Sequence, residues 1–299
     1  MNLFNLLEEI EKVDPDFQDR INPRRDAIKN ITSFGSKVAV AAMPFALGTL
    51  FKKAYGQSAS SEVITVLNFA VALELLESTF YNTGAGTVGL VPTTGASASY
   101  ISTIQNDENE HVTFLTSAIS AAGGTPLTAA SFKYVDFTAG AGSNNGPFKT
   151  VFSDYPTFLA VAETFEDTGV RAYKGQAGNL IGNQTYLTAA LSIHAVEARH
   201  ASAVRYLRNV LGYDTSINPW ITSTTASGND TNIGAAVDAN YAGATPENTT
   251  VQGGVDITTL PSATGSTTSV ATATAAFDEP LTEDEVLAIL VPAFFQFNS

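Results

Sequence analysis

Two copies of one short motif, Glu-x-x-His, constrain this 299-residue chain more than any other feature of its sequence. The first copy is Glu108–His111 and the second is Glu197–His200, and each lies in a segment with helical patterning. Residues three positions apart lie on one face of a helix, about one turn from each other. Each motif can therefore offer a carboxylate and an imidazole to a single ion, and a fold that uses both must bring two helices together.

Four segments have the patterning of long, mostly buried helices. Apolar residues recur at helical spacing in each, and Gly-rich or Pro-containing stretches end them. Pro156 stands at a favoured first-turn position, and Gly123 and Gly212 follow predicted helix ends. The sequence predicts helices over residues 62–81, 97–122, 156–180 and 184–211.

The connections between these helices predict the topology. Helices one and two are joined by about 15 residues, and helices three and four by about four, so each pair forms an antiparallel hairpin. Between the two hairpins lie the roughly 30 residues of 123–155, which can traverse a bundle. Two hairpins joined by one long crossover predict a mainly α fold, a ferritin-like four-helix bundle.

Acidic residues inside the apolar helices are the second informative feature. A buried carboxylate without a partner costs several kcal/mol, so it is normally paired or bound to a metal. The first helix carries Glu74 and Glu77, and the third carries Glu163 and Glu166. One glutamate from each of two helices plus Glu-x-x-His from each of the other two is the ligand set of di-iron and di-manganese proteins. The sequence therefore predicts a site for two Fe or Mn ions.

Charge and cysteine content exclude several other kinds of protein. The chain has 15 Lys and Arg residues against 29 Asp and Glu residues, a formal net charge of -14. Nucleic acids require clustered positive charge, so we expect no nucleic-acid partner. The chain has no Cys, which excludes disulfides, zinc–thiolate sites, iron–sulfur clusters and cysteine nucleophiles.

Four segments of the chain resemble the ferritin-like domain family that includes the desiccation-related proteins, and more distantly rubrerythrin and manganese catalase. The resemblance covers about residues 60–212 and implies a ferritin-like bundle with a dinuclear iron or manganese centre, associated with oxidative or desiccation stress. The segments are VLNFAVALELLESTFY (66–81), DENEHVTFL (107–115), ETFEDTGVRAY (163–173) and VEARHASAVRYL (196–207).

The resemblance also implies a role for each site residue. Glu108 and Glu197 would bridge two ions, and His111 and His200 would each bind one. In helix one, the spacing to Tyr81 favours Glu74 over Glu77. In helix three, the resemblance implies that Glu163 and Glu166 both serve the metals. Apart from the resemblance, Tyr81 and Tyr173 are either core aromatics or residues that donate hydrogen bonds to ligands or act as redox-active phenols. We expect Asp107 and Glu110 to lie on the solvated side of helix two.

The N-terminal segment, residues 1–58, has two interpretations. Arg24 and Arg25 precede a largely apolar stretch, 38–51, which resembles a twin-arginine export signal. Alternatively, residues 36–54 form a buried helix of the mature fold. We expect export to the periplasm or cell surface, with a cytoplasmic location as the alternative.

The C-terminal extension, residues 214–299, differs in composition from the bundle at 59–213. Residues 222–276 are dominated by Thr, Ser, Gly, Ala and Asn, which predicts loops with short β-pairs. Thr282 and Glu285 have the spacing of a capping box at the start of a final helix. This extension is a candidate surface for self-association into a homo-oligomer.

Two functions fit these features. The first is a di-metal oxidoreductase that reacts with peroxide or O2; because a rubredoxin-type centre is excluded, catalase-like or ferroxidase-like chemistry is favoured. The second is a structural or protective cell-surface protein on the same scaffold, without turnover. The sequence leaves open whether the protein is an enzyme.

Overall fold

The computed structural model describes residues 59–221, 234–262 and 265–298. The predicted N-terminal segment at 1–58, with its twin-arginine-like motif, lies outside the described residues, as do residues 222–233 of the Thr/Ser-rich stretch. The boundaries predicted between N-terminal segment, bundle and extension stay predictions.

Four long helices form a bundle, in agreement with the predicted fold class. Helix α1 packs against α2, and α3 packs against α4, while the long segment between α2 and α3 connects the two pairs. Helix α1 continues five residues beyond its predicted end, so its link to α2 shortens to residues 87–94. The helices are α1 (Ser61–Gly86), α2 (Gly95–Ala121), α3 (Tyr155–Ala177) and α4 (Gln184–Val210).

Short polar side chains start three of these helices. The Ser60 side chain accepts a hydrogen bond from the backbone N–H of Val63, and Asp154 accepts one from Thr157. Asn183 caps α4 in the same way. Such caps satisfy backbone donors that have no partner inside the helix, so local sequence sets these helix starts.

Helix α1 is apolar enough to resemble a membrane span by length and composition. However, 67% of its most apolar 18-residue window is buried inside the protein. It also carries Glu74 and Glu77, both buried. Because the other bundle helices cover most of its surface, we interpret α1 as the core helix of the bundle.

The crossover and the chain end pair with each other, which the sequence analysis did not predict. Strand β1 (Phe132–Val135) lies antiparallel to the last strand, with Phe132 opposite Phe297 and Val135 opposite Phe295. The extension also contains a small hairpin, in agreement with the predicted short β-pairs, and the predicted capping box at Thr282. Its elements are α5 (Asp238–Tyr241), β2 (Val251–Gln252), β3 (Val255–Asp256), α6 (Val270–Thr274), α7 (Glu283–Leu290) and β4 (Phe295–Phe297).

The extension is fastened to α3 by a buried arginine. Nε of Arg171 donates to the carbonyl of Glu279 at 2.8 Å, and its Nη2 donates to the carbonyls of Ala242 and Thr245. The chain then passes so close to α3 that a Cβ at Gly175 would lie 1.8 Å from the Leu281 carbonyl oxygen. The extension is thus part of the packed structure.

The two ends of the bundle are packed differently. Near the C-terminal end of α1, Phe80 stacks on Phe158 with ring centroids 4.7 Å apart, and Phe165 meets Phe294 edge-on at 5.0 Å. Near the N-terminal end of α1, small side chains such as Ala70 and Ala189 face the interior. The predicted site lies between these two ends.

Candidate metal centre

The two Glu-x-x-His motifs converge inside the bundle with one glutamate from each remaining helix. We call these six buried side chains the carboxylate–histidine cluster. They form two groups that share Glu108 and Glu197, and in each group one ligand atom per residue lies within 4.8 Å of all the others. The groups are Glu74, Glu108, His111 and Glu197, and Glu108, Glu166, Glu197 and His200.

In the first group, one imidazole nitrogen faces three carboxylates. Nδ1 of His111 lies 3.1 Å from Glu74 Oε2, 3.3 Å from Glu108 Oε2 and 3.2 Å from Glu197 Oε1. These residues come from α1, α2 and α4, so the group depends on helix packing. Three carboxylate oxygens and one imidazole nitrogen form a donor set that suits Fe or Mn.

The second group repeats this pattern on the other side of the shared glutamates. Nδ1 of His200 lies 2.8 Å from Glu108 Oε1 and 3.3 Å from Glu166 Oε2. The two imidazole rings are 6.2 Å apart, centroid to centroid. Glu108 therefore presents one oxygen to each histidine, as a bridging carboxylate does.

Two tyrosines hold the outer glutamates. The Tyr81 hydroxyl donates to Glu166 Oε1 at 2.5 Å, and the Tyr173 hydroxyl donates to Glu74 Oε1. Burial and the neighbouring carboxylates raise the pKa of both phenols well above 10, so both stay protonated as donors. Each outer glutamate thus has one oxygen fixed by a phenol and the other directed towards a histidine.

Asp107 is a functional candidate that the sequence analysis assigned only to the solvated side of helix two. Its carboxylate is 29% exposed and lies 3.1 Å from Nε2 of His200, instead of pointing only to solvent. A carboxylate that accepts from one imidazole nitrogen leaves the other nitrogen available to a cation. The sequence signal for this role was the position of Asp107 next to Glu108 in the chain. Only the packing of α2 against α4 shows that Asp107 faces His200.

The two other glutamates proposed as ligands are not members of either group. Glu77 is buried nearby, where burial and the carboxylates of Glu197, Glu108 and Glu166 raise its pKa well above 4.5. Gly169 leaves room for the carboxylates of Glu77 and Glu197, because a Cβ at position 169 would lie 3.1 Å from Glu197 Oε2 and 3.4 Å from Glu77 Oε1.

Glu163 lies in a different set of contacts, which we call the arginine network. Glu163 Oε2 pairs with Arg208 at 2.6 Å, and Asp167 pairs with Arg205 at 2.5 Å. The hydroxyl of Tyr241 in α5 donates to Asp167 at 2.6 Å. The structure thus brings Glu166, but not Glu163, to the cluster. The arginine network comprises Glu163, Asp167, Arg171, Arg205, Arg208, Tyr241 and Glu247.

The electrostatics of the cluster favour a bound cation. Burial raises the pKa of Glu74 to about 7, although the charge of His111 opposes this. Burial and the carboxylate of Glu108 raise the pKa of Glu197 well above 4.5. Burial lowers the pKa values of His111 and His200, but the carboxylates facing them prevail and raise both well above 6.5. The cluster therefore collects protons, and a metal can take their place.

Unsatisfied atoms provide a second test of the fit. Within the described ranges, five buried cluster atoms have no hydrogen-bond partner, and four of them lie at ion-pair distance from a neighbour. Buried polar atoms are rarely left in this state unless an ion or water satisfies them. The residues present therefore fit a cation. The atoms are Glu108 Oε1, Glu166 Oε2, both carboxylate oxygens of Glu197, and His200 Nδ1.

A family model matches the part of the chain that forms the bundle. Residues 62–210 match the family described as "Ferritin-like domain". The match starts one residue after the beginning of α1 and ends at the last residue of α4, so it includes the helices that supply the cluster. Comparison with curated proteins and with solved structures found no match. Through these four helices, the chain belongs to the ferritin-like domain family.

Proposed function

We propose that the cluster binds two Fe or Mn ions and that the protein is a redox enzyme acting on peroxide or O2 in oxidative or desiccation stress. The observation that carries this proposal is the pair of four-residue groups that share Glu108 and Glu197. Two adjacent ion sites with common carboxylates are the arrangement expected of a dinuclear centre.

The charge of the ligands supports two divalent ions. The four cluster glutamates carry four negative charges when ionised, and two divalent ions carry four positive charges. With neutral imidazoles the loaded centre is then uncharged, which removes the cost of burying isolated carboxylates. Burial and the carboxylate of Glu197 raise the pKa of Glu77, which belongs to neither group, well above 4.5 in the metal-free protein.

The chain's own residues position the ligands. Tyr81 and Tyr173 hold Glu166 and Glu74 by donating hydrogen bonds. The Asp107 carboxylate accepts a hydrogen bond from Nε2–H of His200. This tautomer leaves the lone pair of Nδ1 directed into the site. Two Fe or Mn ions would supply the electron transfer, either to oxidise Fe(II) with O2 or to disproportionate hydrogen peroxide.

The direct test is metal stoichiometry. Apo-protein is incubated without oxygen with Fe(II) or Mn(II), desalted, and the metal content is measured by elemental analysis. We expect two ions per chain for the native sequence. We expect less than about 0.2 ion per chain for the variant Glu108→Ala/Glu197→Ala, because both subsites lose a shared ligand.

The matched control is Glu110→Ala, which changes a carboxylate in the same motif that belongs to neither group. It should retain two ions per chain. Loss of metal in the control and the double variant alike would contradict the assignment. Peroxide consumption and Fe(II) oxidation by the loaded protein then test turnover, and tightly bound metal without either reaction would favour the structural alternative.

A further inference from the structure

The two groups of the carboxylate–histidine cluster offer the same types of donor to a cation. Each group has three carboxylates and one imidazole, and two of the carboxylates belong to both groups. A difference in affinity between them would therefore come from the residues that surround the ligands. We call the groups the His111 subsite (Glu74, Glu108, His111 and Glu197) and the His200 subsite (Glu108, Glu166, Glu197 and His200).

The outer glutamates of the two subsites are held in the same way. Tyr173 donates a hydrogen bond to Glu74, and Tyr81 donates one to Glu166. Both glutamates are fully buried, as are the two shared ones. The carboxylates thus give neither subsite an advantage in support or in burial.

The histidines, by contrast, are held differently. Nε2 of His200 lies 3.1 Å from the carboxylate of Asp107, and its Nδ1 faces the shared Glu108 at 2.8 Å. Among the described residues, the ion pairs of His111 all involve Nδ1. The ring of His200 is therefore fixed at both nitrogens, whereas the ring of His111 is fixed at one.

The sequences of the two motifs account for this asymmetry. Asp107 directly precedes the first motif and contacts the histidine of the second motif across the α2–α4 contact. The residue that directly precedes the second motif is Val196. Its side chain is buried and has no group that can accept a hydrogen bond from an imidazole. The chain thus provides a supporting carboxylate for one histidine only.

Such a carboxylate strengthens a metal-binding histidine in two ways. It fixes the tautomer and the orientation of the ring, and it makes the other ring nitrogen more basic. The negative charge of Asp107 also attracts a cation bound nearby. Arg199, next to His200 in the chain, is exposed, so solvent and salt screen its opposing charge. Both effects of Asp107 act on the His200 subsite.

We propose that the two subsites are unequal, so that the His200 subsite fills first and binds a divalent ion about 10–100-fold more tightly, with Asp107 as its positioning residue. This inference rests on the proposed function and adds an order of loading to it. The ion in the His111 subsite is then the one that exchanges more readily.

The first test locates a single Mn(II) ion in the native protein. Full-length apo-protein is loaded without oxygen with one Mn(II) ion per chain and crystallised, and anomalous scattering locates the metal. We expect the stronger peak between Glu166 and His200, and a second ion per chain should add a peak between Glu74 and His111. Equal peaks at one ion per chain, or a stronger peak beside His111, overturn this inference alone. Absence of Mn(II) from both subsites overturns the proposed function as well.

The second test measures each subsite separately. His111→Gln leaves the His200 subsite intact, and His200→Gln leaves the His111 subsite intact, while both variants keep a side chain of similar size. Circular dichroism checks the fold, and competition with a chelator gives the Kd for Mn(II). We expect the Kd of His111→Gln to be about 10–100-fold lower than that of His200→Gln. Equal values, or the reverse order, overturn the inference.

The third test asks whether Asp107 causes the difference. Asp107→Asn is added to each single-subsite variant. The Kd should rise about 10–100-fold in the His111→Gln background, but about twofold at most in the His200→Gln background, where only the distant charge is lost. The control Glu110→Gln removes a carboxylate from the same helix and should change either Kd about twofold at most. Equal losses in both backgrounds would indicate a general structural role and overturn the assignment of Asp107.

Discussion

Two buried sets of charged side chains lie in the same bundle and balance their charge differently. In the arginine network, carboxylates meet guanidinium groups, as Asp167 meets Arg205 and Glu163 meets Arg208. In the carboxylate–histidine cluster, the ion-pair partners of the glutamates are His111 and His200. Arginine is always charged, but histidine can become neutral and bind a metal.

This difference indicates that the arginine network is a structural contact within the chain, whereas the carboxylate–histidine cluster is a binding site. The arginine network gives its carboxylates fixed positive charges from the same chain and connects α3 to the extension through Arg171 and Tyr241. Among the described residues, the glutamates of the carboxylate–histidine cluster pair with the two histidines and not with guanidinium groups. A buried carboxylate therefore indicates a metal site only when no fixed positive charge is provided for it. The following experiments test this comparison, from the largest expected effect to the smallest.

The largest effect is expected in the arginine network. Arg171→Met removes the ion pair to Glu247 at 2.7 Å and the hydrogen bonds to the extension. We expect a loss of about 3–5 kcal/mol in the free energy of unfolding, because a carboxylate stays buried without its partner. Urea unfolding measures it. The exposed control Arg199→Met should change the free energy of unfolding by less than about 0.5 kcal/mol. A change as small as this for Arg171→Met would show that the network does not hold the extension.

The next effect is a pH dependence of the metal-free protein. The folded-state pKa of Glu74 is raised by burial to about 7 from 4.5, so the folded state binds more protons between these values. Stability therefore falls as pH rises from 4.5 through 7, by roughly 3 kcal/mol from this group. The raised histidine pKa values act in the same direction above 6.5.

Thermal unfolding between pH 5 and pH 8 measures this effect. Part of the fall in stability with rising pH comes from the titration of the cluster residues. Adding Mn(II) should abolish this part, because the metal keeps the cluster carboxylates ionised. Burial raises the pKa of Glu247 to about 8. The fall in stability caused by this residue should therefore remain in the metal-loaded protein. Equal pH profiles with and without metal would contradict the distinction between cluster and network.

A smaller effect is expected at Asp107. Asp107→Asn weakens the acceptor for Nε2 of His200 while keeping the size of the side chain. We expect metal affinity to fall about 10–100-fold, as for other residues that orient a metal-binding histidine. Competition with a chelator measures it, and Glu110→Gln is the control on the same helix. Unchanged affinity would mean that His200 is oriented by packing alone.

The smallest effect is expected at Glu77. Glu77→Gln replaces a carboxyl that belongs to neither group and whose pKa is raised well above 4.5 by burial and by Glu197. Two ions per chain should remain, and the free energy of unfolding should change by less than about 1 kcal/mol. Glu74→Gln is the matched comparison and should lose one ion. The opposite pattern would reverse the assignment of the helix-one ligand.

Much of the fold was predictable because the signals are local. The start of α3 followed from Pro156 in its first turn, and the ends of α2 and α4 followed from Gly123 and Gly212. That the Glu and the His of each Glu-x-x-His motif share one helix face followed from helical periodicity alone, because residues three positions apart lie on the same face. The choice between Glu163 and Glu166 was not predictable, because one turn along α3 separates an arginine partner from a histidine partner.

The sequence by itself determined four helices, their order and the residue types that can bind a cation, because these depend on contacts within one or two turns. Only the tertiary structure decided which glutamates face the histidines, that Asp107 supports His200, and that the chain end pairs with the crossover at Phe132 and Phe297. Those outcomes depend on the packing register of helices distant in sequence, and a shift of one turn would replace every partner.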